Sequence, residues 1–142
     1  ETEPLTIDFS NNTVTGYTRG INIQQATAVV TIQNNRITST NSESDRGAIQ
    51  LTDAAVCTVE GNTIDVNGGN AFWFHEAATN ENVAYTINNN DISAPYLANA
   101  DTSFDINSRI TSSGNSFNDT DTKNCMEKGA TAATPSKVTA IK

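Results

Sequence analysis

The residues best suited to binding chemistry in this chain are its single tryptophan, Trp73, and its single histidine, His75. Trp73 lies between Phe72 and Phe74. If this stretch is a strand, the two phenylalanines point to one face and the indole points to the other. An exposed indole can stack on a sugar ring while nearby amides and hydroxyls bind the sugar hydroxyls. We therefore expect a carbohydrate contact centred on Trp73, whereas a lone strand histidine more often makes a structural hydrogen bond.

The elements that must position these residues are defined by a repeat around five anchor asparagines. Each anchor is preceded by Asn or Gly and followed two positions later by an apolar residue. Upstream, apolar and polar residues alternate, as in Val30-Thr-Ile32, which predicts a strand with one buried face. The Asn-Asn or Gly-Asn pair tolerates left-handed backbone angles and predicts a sharp corner. The anchors are Asn12, Asn35, Asn62, Asn90 and Asn115.

A second strand signal follows each of the first four anchors, and variation in coil length falls between the corner and this signal. Such confined variation is typical of a solenoid with loops on one face. An antiparallel sandwich would instead show hairpin signals between arms of equal length, which are missing. We therefore predict an all-β parallel solenoid of about five coils with three strands per coil. The second signals are Ile21-Asn-Ile23, Ile49-Gln-Leu51, Phe72-Trp-Phe74 and Phe104-Asp-Ile106.

With these anchors the chain resembles the right-handed parallel β-helix family, the pectate-lyase-like or pectin-lyase-like solenoids. Coils of that family carry an internal asparagine ladder at a tight corner, and the five anchors match it residue by residue. The resemblance implies a β-helix over residues 1–120, followed by a C-terminal cap or a linker over residues 121–142. It also implies a saccharide groove on the face that carries the loops. The basic and acidic catalytic clusters of the family's lyases and polygalacturonases have no counterpart in this sequence.

The repeat places polar residues of the second strand signal in two outward rows. One row contains Asn22, Gln50, Trp73 and Asp105, and the other contains Gln24, Thr52, His75 and Asn107. Both rows face the side where the variable loops end, so they define a candidate ligand-binding surface. The alternative is that Trp73 packs under a loop and that the rows are an ordinary solvent face. The predicted ligand-binding residues are Trp73, His75, Gln50, Asp105, Asn107 and Gln24.

One position further along the same register, Asp53 and Glu76 fall on adjacent coils, roughly 5 Å apart at the strand spacing. Two carboxylates at that distance suit a retaining glycosidase, and they also suit a calcium site. The alternative is two surface acids that never meet. Further calcium ligands would come from the loop residues Glu43, Asp45 or Asp101.

Composition narrows the classes of function. The net charge is −8, the estimated pI is 4.4, and the few basic residues are scattered along the sequence. The absence of a basic cluster argues against nucleic-acid binding. The negative charge favours neutral over acidic glycans as ligands. No apolar run approaches the roughly 18 residues of a membrane helix. No cofactor is expected apart from possible calcium, and Cys57 falls on an inward, core position.

The leading functional expectation is a secreted or surface-displayed module, a non-catalytic binding or adhesin domain that contacts carbohydrate. Extracellular localisation is suggested by the acidic pI, the few lysines and the many asparagines and threonines. Two alternatives stay open. One is a small or partial polysaccharide lyase or glycoside hydrolase that uses Asp53 and Glu76, and the other is a structural spacer without a ligand.

Overall fold

A computed structural model describes residues 3–16, 19–24, 27–39, 47–52, 56–75, 83–100, 106–117, 124–127, 136–137 and 141–142. These residues form three β-sheets and one short helix, α1 (Ile106–Arg109). Sheet A contains β1 (Thr6–Ser10), β4 (Val29–Gln33), β7 (Val56–Glu60), β10 (Ala84–Asn88) and β13 (Ile110–Ser113). Sheet B contains β2 (Thr13–Thr15), β5 (Arg36–Ser39), β8 (Thr63–Val66), β11 (Asp91–Ser93) and β14 (Ser116–Phe117). Sheet C contains β3 (Ile21–Gln24), β6 (Gly47–Thr52), β9 (Asn70–His75), β12 (Tyr96–Ala100), β15 (Asn124–Glu127) and β16 (Ser136–Lys137).

The chain visits sheets A, B and C in turn and then begins the next coil beside the previous one. Neighbouring strands are parallel throughout sheets A and B and from β3 to β15 in sheet C, with β4 between β1 and β7 and β6 between β3 and β9. The pair formed by β15 and β16 is antiparallel. The predicted all-β parallel β-helix with three strands per coil is therefore confirmed. Among the described residues, no helix is long and apolar enough to cross a membrane.

The core is built from columns of like residues, because strands in register place equivalent side chains above one another. In sheet A, Ile32 lies next to Val59 and Val59 next to Ile87. In sheet B, Ile37 lies next to Ile64. All five side chains are fully buried. Polar residues between them face outward, which gives the alternating pattern expected from the sequence.

The anchor asparagines form the predicted ladder along the corner between sheets A and B. The backbone N–H and the side-chain Nδ2 of Asn62 both donate to Oδ1 of Asn90, at 2.9 Å each. Asn35 makes the same pair of bonds to Asn62, at 2.9 and 3.0 Å. Asn90 makes them to Asn115, at 3.0 and 2.9 Å. The three central anchors Asn35, Asn62 and Asn90 are almost completely buried, so the ladder satisfies polar groups that water cannot reach.

The left-handed backbone angle at each corner falls on the residue before the anchor. It has a φ of 54° at Asn34 and at Asn89 and of 66° at Gly61. Asn and Gly are the residues that adopt this conformation at the lowest cost. The two residues of each Asn-Asn or Gly-Asn pair therefore have separate roles, since the first turns the chain and the second forms the ladder.

The fourth strand of sheet C was predicted wrongly. The sequence signal Phe104-Asp-Ile106 indicated a strand, but the strand that pairs with β9 is β12 (Tyr96–Ala100), and Ile106 begins α1. Phe104 and Asp105 lie outside the described residues. The sequence Tyr-Leu-Ala-Asn-Ala lacks the alternation of a half-exposed strand, because four of its five side chains are buried on one face or the other.

The last described residues bond to the fifth anchor and to β13. The backbone N–H and Nδ2 of Asn115 donate to the Lys142 carbonyl oxygen, at 3.0 and 2.7 Å. The backbone N–H of Lys142 donates to the Ser112 hydroxyl at 2.7 Å, and Ile141 is buried against the core. Lys142 thus supplies the acceptor that a further anchor asparagine would supply.

Candidate functional site

The backbone register brings together part of the predicted ligand-binding row. Asn22 pairs with Gln50, and Gln50 pairs with Trp73. Opposite Trp73 on the next strand lies Asn99, not Asp105 as the sequence predicted. The fourth member of the row changed because β12 begins eight residues earlier than the predicted strand, at Tyr96 rather than Phe104.

The second predicted row is only partly assembled. Gln24 pairs with Thr52, and Thr52 pairs with His75. Gln24 is exposed at the end of β3. Asn107 lies in α1 and not in sheet C, so its place in this row was wrong. The side chains of His75 and Asn107 lie outside the described part of the structure.

Trp73 is buried, with 5% of its surface exposed, so the expectation of an open indole platform was wrong. Its neighbours Gln50 and Asn99 are each 2% exposed. Ala71 and Leu97 are fully buried and Ala48 is 1% exposed. The strands β6, β9 and β12 are therefore buried on both faces. Their near-continuous apolar sequences are typical of such strands, and this signal could have shown that Trp73 is covered.

Two amide oxygens flank Trp73 within this buried layer. Oε1 of Gln50 and Oδ1 of Asn99 are buried and accept no hydrogen bond within the described residues. Gln50 lies on one side of Trp73 and Asn99 on the other. Because the indole between them is covered, this row does not offer the open stacking surface that the sequence predicted for a sugar.

The predicted acidic residues cannot be placed against one another. Asp53, Glu76 and Asp105 lie outside the described residues. The calcium candidates Glu43, Asp45 and Asp101 also lie outside them. Over the ranges that the structure covers, no group of three or more His, Cys, Asp or Glu side chains could hold a metal ion. The catalytic and calcium hypotheses therefore stay predictions.

An open cavity lies instead on the outer face of sheet B, at the carboxyl ends of β2, β5 and β8. Its volume is about 300 Å³, which is at the lower end of the range of roughly 300–1,000 Å³ for small-molecule sites. Thr15, Thr38 and Asp65 form one wall, because they pair side by side on β2, β5 and β8. The complete lining is Thr15, Gly16, Thr38, Ser39, Asp65 and Asn67.

The local sequence explains why these side chains point outward together. Thr38 follows the fully buried Ile37, and Asp65 follows the fully buried Ile64. Alternation along each strand therefore turns the hydroxyl and the carboxylate to the same outer surface. At the rim, the backbone N–H of Asn67 donates to the Ser39 carbonyl oxygen at 3.0 Å. This bond ties the turn after β8 to the end of β5.

Sequence reasoning missed this cavity, although the row of residues that forms its wall is visible in the repeat. The residue three positions after each of the first four anchors is Thr15, Thr38, Asp65 or Ser93. The structure places these four residues in one row across sheet B. A row of polar residues across neighbouring strands looks like ordinary solvent-exposed surface, so nothing in it pointed to a concave site.

Cys57 is not part of a reactive site. It lies in the core of sheet A between Val30 and Tyr85 and is fully buried. Burial raises the pKa of its thiol from 9.0 to about 12, because the low-dielectric interior disfavours the thiolate. The thiol therefore stays protonated at neutral pH and is a poor nucleophile, as the predicted core position requires.

The architecture is that of a parallel β-solenoid with an internal asparagine ladder. The family model described as the right handed beta helix region matches residues 5–139, so the chain belongs to this β-helix family. No curated protein and no solved structure matched the chain. A fold of this kind carries many functions, so the family accounts for the architecture and leaves the ligand to be argued from the site.

Proposed function

We propose that the chain is a non-catalytic binding module of a secreted or surface-displayed protein, and that it binds a neutral sugar in the cavity on sheet B. The observation that carries this proposal is the chemistry of the cavity wall. Residues with hydroxyl, amide and carboxylate side chains line an open space of about 300 Å³. An adhesin role is one form that such a binding module could take.

The wall offers the groups that a sugar needs. The hydroxyls of Thr15 and Thr38 both donate and accept hydrogen bonds, and the Asn67 amide does the same with separate atoms. The Asp65 carboxylate can accept from two adjacent sugar hydroxyls, and such charge-assisted bonds are stronger than neutral ones. Thr15, Thr38 and Asp65 belong to regular strands, and Asn67 directly follows one, so little ordering is needed when the ligand binds.

Charge favours a neutral ligand over an acidic one. Asp65 lies in the wall, and the whole chain has a net charge of −8. Both repel an anionic sugar at neutral pH. The composition that supports an extracellular protein, acidic and rich in asparagine and threonine, also fits contact with glycans outside the cell.

The cavity supports binding better than hydrolysis. Glycoside hydrolysis generally uses a pair of carboxyl groups on either side of the scissile bond. Among the residues that line the cavity, Asp65 is the one acid. A lone carboxylate suits hydroxyl recognition, so the enzymatic alternative gains no support at this site.

The test is a screen of neutral monosaccharides and oligosaccharides on a glycan array, followed by calorimetry with the best ligand. Asp65→Ala should weaken binding at least tenfold, because a lost bond to a charged group costs about 1.5–3 kcal/mol. Thr38→Val should weaken it less. Asp8→Asn, which removes an exposed acid from sheet A, is the charge-matched control and should bind like the unchanged protein.

Two results would count against the proposal. If no neutral sugar binds, the structural-spacer alternative takes its place. If a sugar binds but Asp65→Ala and Thr38→Val leave its affinity unchanged, the ligand occupies another surface. Circular dichroism of each variant should show the same strand spectrum as the unchanged protein, so that lost binding is not lost folding.

A further inference from the structure

The bend between β8 and β9 contains one asparagine and two glycines. Asn67 follows the last residue of β8, and Gly68 and Gly69 lead into β9. Asn67 is exposed and Gly68 is half-buried, whereas the flanking residues Val66 and Asn70 are buried. The bend is therefore fixed at both ends, and the bond between Asn67 and Gly68 lies within reach of water.

Asn67 is the one asparagine in the sequence that is followed by glycine. An asparagine side chain can fold onto the backbone of neighbouring residues. Where the next residue is glycine, no Cβ lies beside its backbone nitrogen and its backbone angles are the least restricted. The Gly68 nitrogen can therefore reach the side-chain carbonyl carbon of Asn67 more easily than the nitrogen that follows any other asparagine.

The asparagines of the ladder are held in a way that prevents such an approach. Thr63, which follows Asn62, donates its N–H to the Asn35 carbonyl at 2.9 Å. Asp91, which follows Asn90, donates its N–H to the Asn62 carbonyl at 2.8 Å. The side-chain amides of Asn62 and Asn90 are themselves bonded within the ladder. Both the backbone nitrogen and the amide that would have to meet are therefore fixed in place.

The Gly68 nitrogen is not held by a bond of this kind. Among the residues that the structure describes, the Gly68 N–H donates no hydrogen bond. The N–H of Asn67 donates to the Ser39 carbonyl at 3.0 Å, so the backbone of Asn67 is anchored to the end of β5. The arrangement leaves the Asn67 side chain and the Gly68 nitrogen next to one another, in contact with water and without competing bonds.

We propose that Asn67 is a site of spontaneous deamidation, in which the Gly68 nitrogen attacks the Asn67 side chain. A bond forms between the Gly68 nitrogen and Cγ of Asn67, and the bond from Cγ to Nδ2 breaks. Nδ2 leaves as ammonia with the proton that the Gly68 nitrogen gives up. Water then opens the cyclic imide at either carbonyl, adding its hydroxyl to the carbon and a proton to the nitrogen. The product at position 67 is aspartate or isoaspartate, and no group is oxidised or reduced.

The reaction changes the chemistry of the cavity on sheet B, because Asn67 and Asp65 both line it. An amide donates and accepts hydrogen bonds, whereas a carboxylate only accepts them. The cavity then has two carboxylates in place of one, so it repels anions more strongly. Isoaspartate in addition lengthens the main chain by one carbon atom at the rim of the cavity. The inference does not depend on the sugar proposal, since the change at position 67 is measured with no ligand present.

The test is incubation of the folded protein in mildly alkaline buffer, followed by peptide mass spectrometry with fragmentation that distinguishes isoaspartate from aspartate. Position 67 should gain the mass difference between an amide and an acid, and both products should appear. The reaction should be slower in mildly acidic buffer, because the attacking nitrogen must lose its proton. A synthetic peptide with the sequence of residues 63–72 serves as the reference for complete reaction in the same buffer.

Gly68→Ala is the matched variant. Gly68 does not have a positive φ, whereas Gly69 has a φ of 75°, so alanine should fit the same backbone at position 68. Its Cβ restricts the backbone angles and should slow the reaction by about tenfold. Asn67→Gln should keep its amide, since the longer side chain closes a ring far less readily. Asn22 is an internal comparison that should also stay unchanged, because it is exposed on β3 but precedes the branched Ile23.

Three results would overturn the proposal. One is an intact Asn67 in the folded protein after the reference peptide has reacted, which would show that the bend keeps the nitrogen and the side chain apart. Another is aspartate without isoaspartate, which would exclude the cyclic imide. The third is an equal rate in the unchanged protein and in Gly68→Ala, with circular dichroism showing that both are folded. Failure of every sugar to bind would leave these measurements unaffected, so this proposal and the sugar proposal can fail separately.

Discussion

Replacing Asn62 with alanine tests how much of the stability depends on the asparagine ladder. The Asn62 side chain accepts from the N–H and Nδ2 of Asn35 at 2.9 and 3.0 Å. Its Nδ2 donates to Oδ1 of Asn90 and to the Ile32 carbonyl, at 2.9 Å each. Asn62 is 1% exposed, so water cannot readily replace these bonds.

The expected loss follows from the groups left without partners. Alanine removes the one acceptor shared by two donors of Asn35, and Asn35 is itself 2% exposed. An unsatisfied buried donor costs about 1–3 kcal/mol. Asn90 and Ile32 each lose a donor as well, at about 0.5–1.5 kcal/mol per bond. Since the neighbours relax in part, we expect a loss of about 3–5 kcal/mol, at the upper end for a single substitution.

The matched control is Asn12→Ala at the first described rung of the same ladder. Asn12 is exposed, and its Nδ2 donates to the Ser10 carbonyl at 2.9 Å and to Asn35 Oδ1 at 3.4 Å. Water can replace these bonds, so this variant should lose about 1 kcal/mol or less. Neither residue has a positive φ, so neither substitution relieves or adds backbone strain at the anchor.

The assay is urea unfolding followed by circular dichroism, with the slope of each transition compared between variants. Equal slopes indicate that the same surface is exposed on unfolding, so the midpoints report stability. Similar losses for Asn62→Ala and Asn12→Ala would refute the reasoning, because the argument depends on burial of the central rungs. A broad transition for Asn62→Ala alone would show instead that the coils on either side unfold separately.

Two further predictions concern the buried layers. Trp73 is the single tryptophan and is 5% exposed, so its fluorescence should resist acrylamide quenching. Trp73→Ala should lower the free energy of unfolding by about 3–5 kcal/mol. Ready quenching of the folded protein would contradict this burial. Burial raises the pKa of the Cys57 thiol from 9.0 to about 12. As the pH rises above 9, the thiol therefore loses its proton in the unfolded state but keeps it in the folded state. The free energy of unfolding should fall by about 1.4 kcal/mol per pH unit in this range. Urea titrations at pH 8 and 10 should show this added loss in the unchanged protein relative to Cys57→Ala, and parallel pH dependences would count against it.

The ladder and its corners were predictable because the same physical demand recurs in every coil. Each corner needs one residue with a left-handed angle and one amide that bonds to the coils on both sides. Gly61 and Asn34 meet the first demand, and Asn62 and Asn35 meet the second. A demand repeated at nearly constant spacing leaves a pattern that a single sequence shows without any alignment.

The fourth strand of sheet C was not predictable from alternation. Alternation marks a strand with one face in water, whereas Leu97 and Ala98 on β12 are both fully buried. The same fact explains the error at Trp73. Alternation with Phe72 and Phe74 correctly indicates that the indole faces away from the solenoid core, but it carries no information on whether another layer covers the outer face.

The cavity on sheet B could not be predicted from the sequence for a different reason. Its wall depends on three residues that are 23 and 27 positions apart in the sequence and become neighbours only through the strand register. Thr15 and Thr38 alone are ordinary strand residues with outward hydroxyls. Concavity arises at the turns after the strands, near Gly16 and Asn67, and turn geometry of that kind is not encoded in the residue pattern.

The ladder also gives the solenoid a direction. In each described rung the backbone N–H and Nδ2 of one anchor donate to Oδ1 of the anchor in the later coil. At Asn115 the backbone N–H and Nδ2 donate to the Lys142 carbonyl oxygen in place of an amide oxygen, and Nδ2 also donates to the Ile87 carbonyl. An amide oxygen in the ladder needs a backbone N–H and an amide on one residue of the coil before it, in one register, which favours asparagine. The direction of the bonds therefore explains why the same residue recurs at each anchor, since it accepts from the coil before and donates to the coil after.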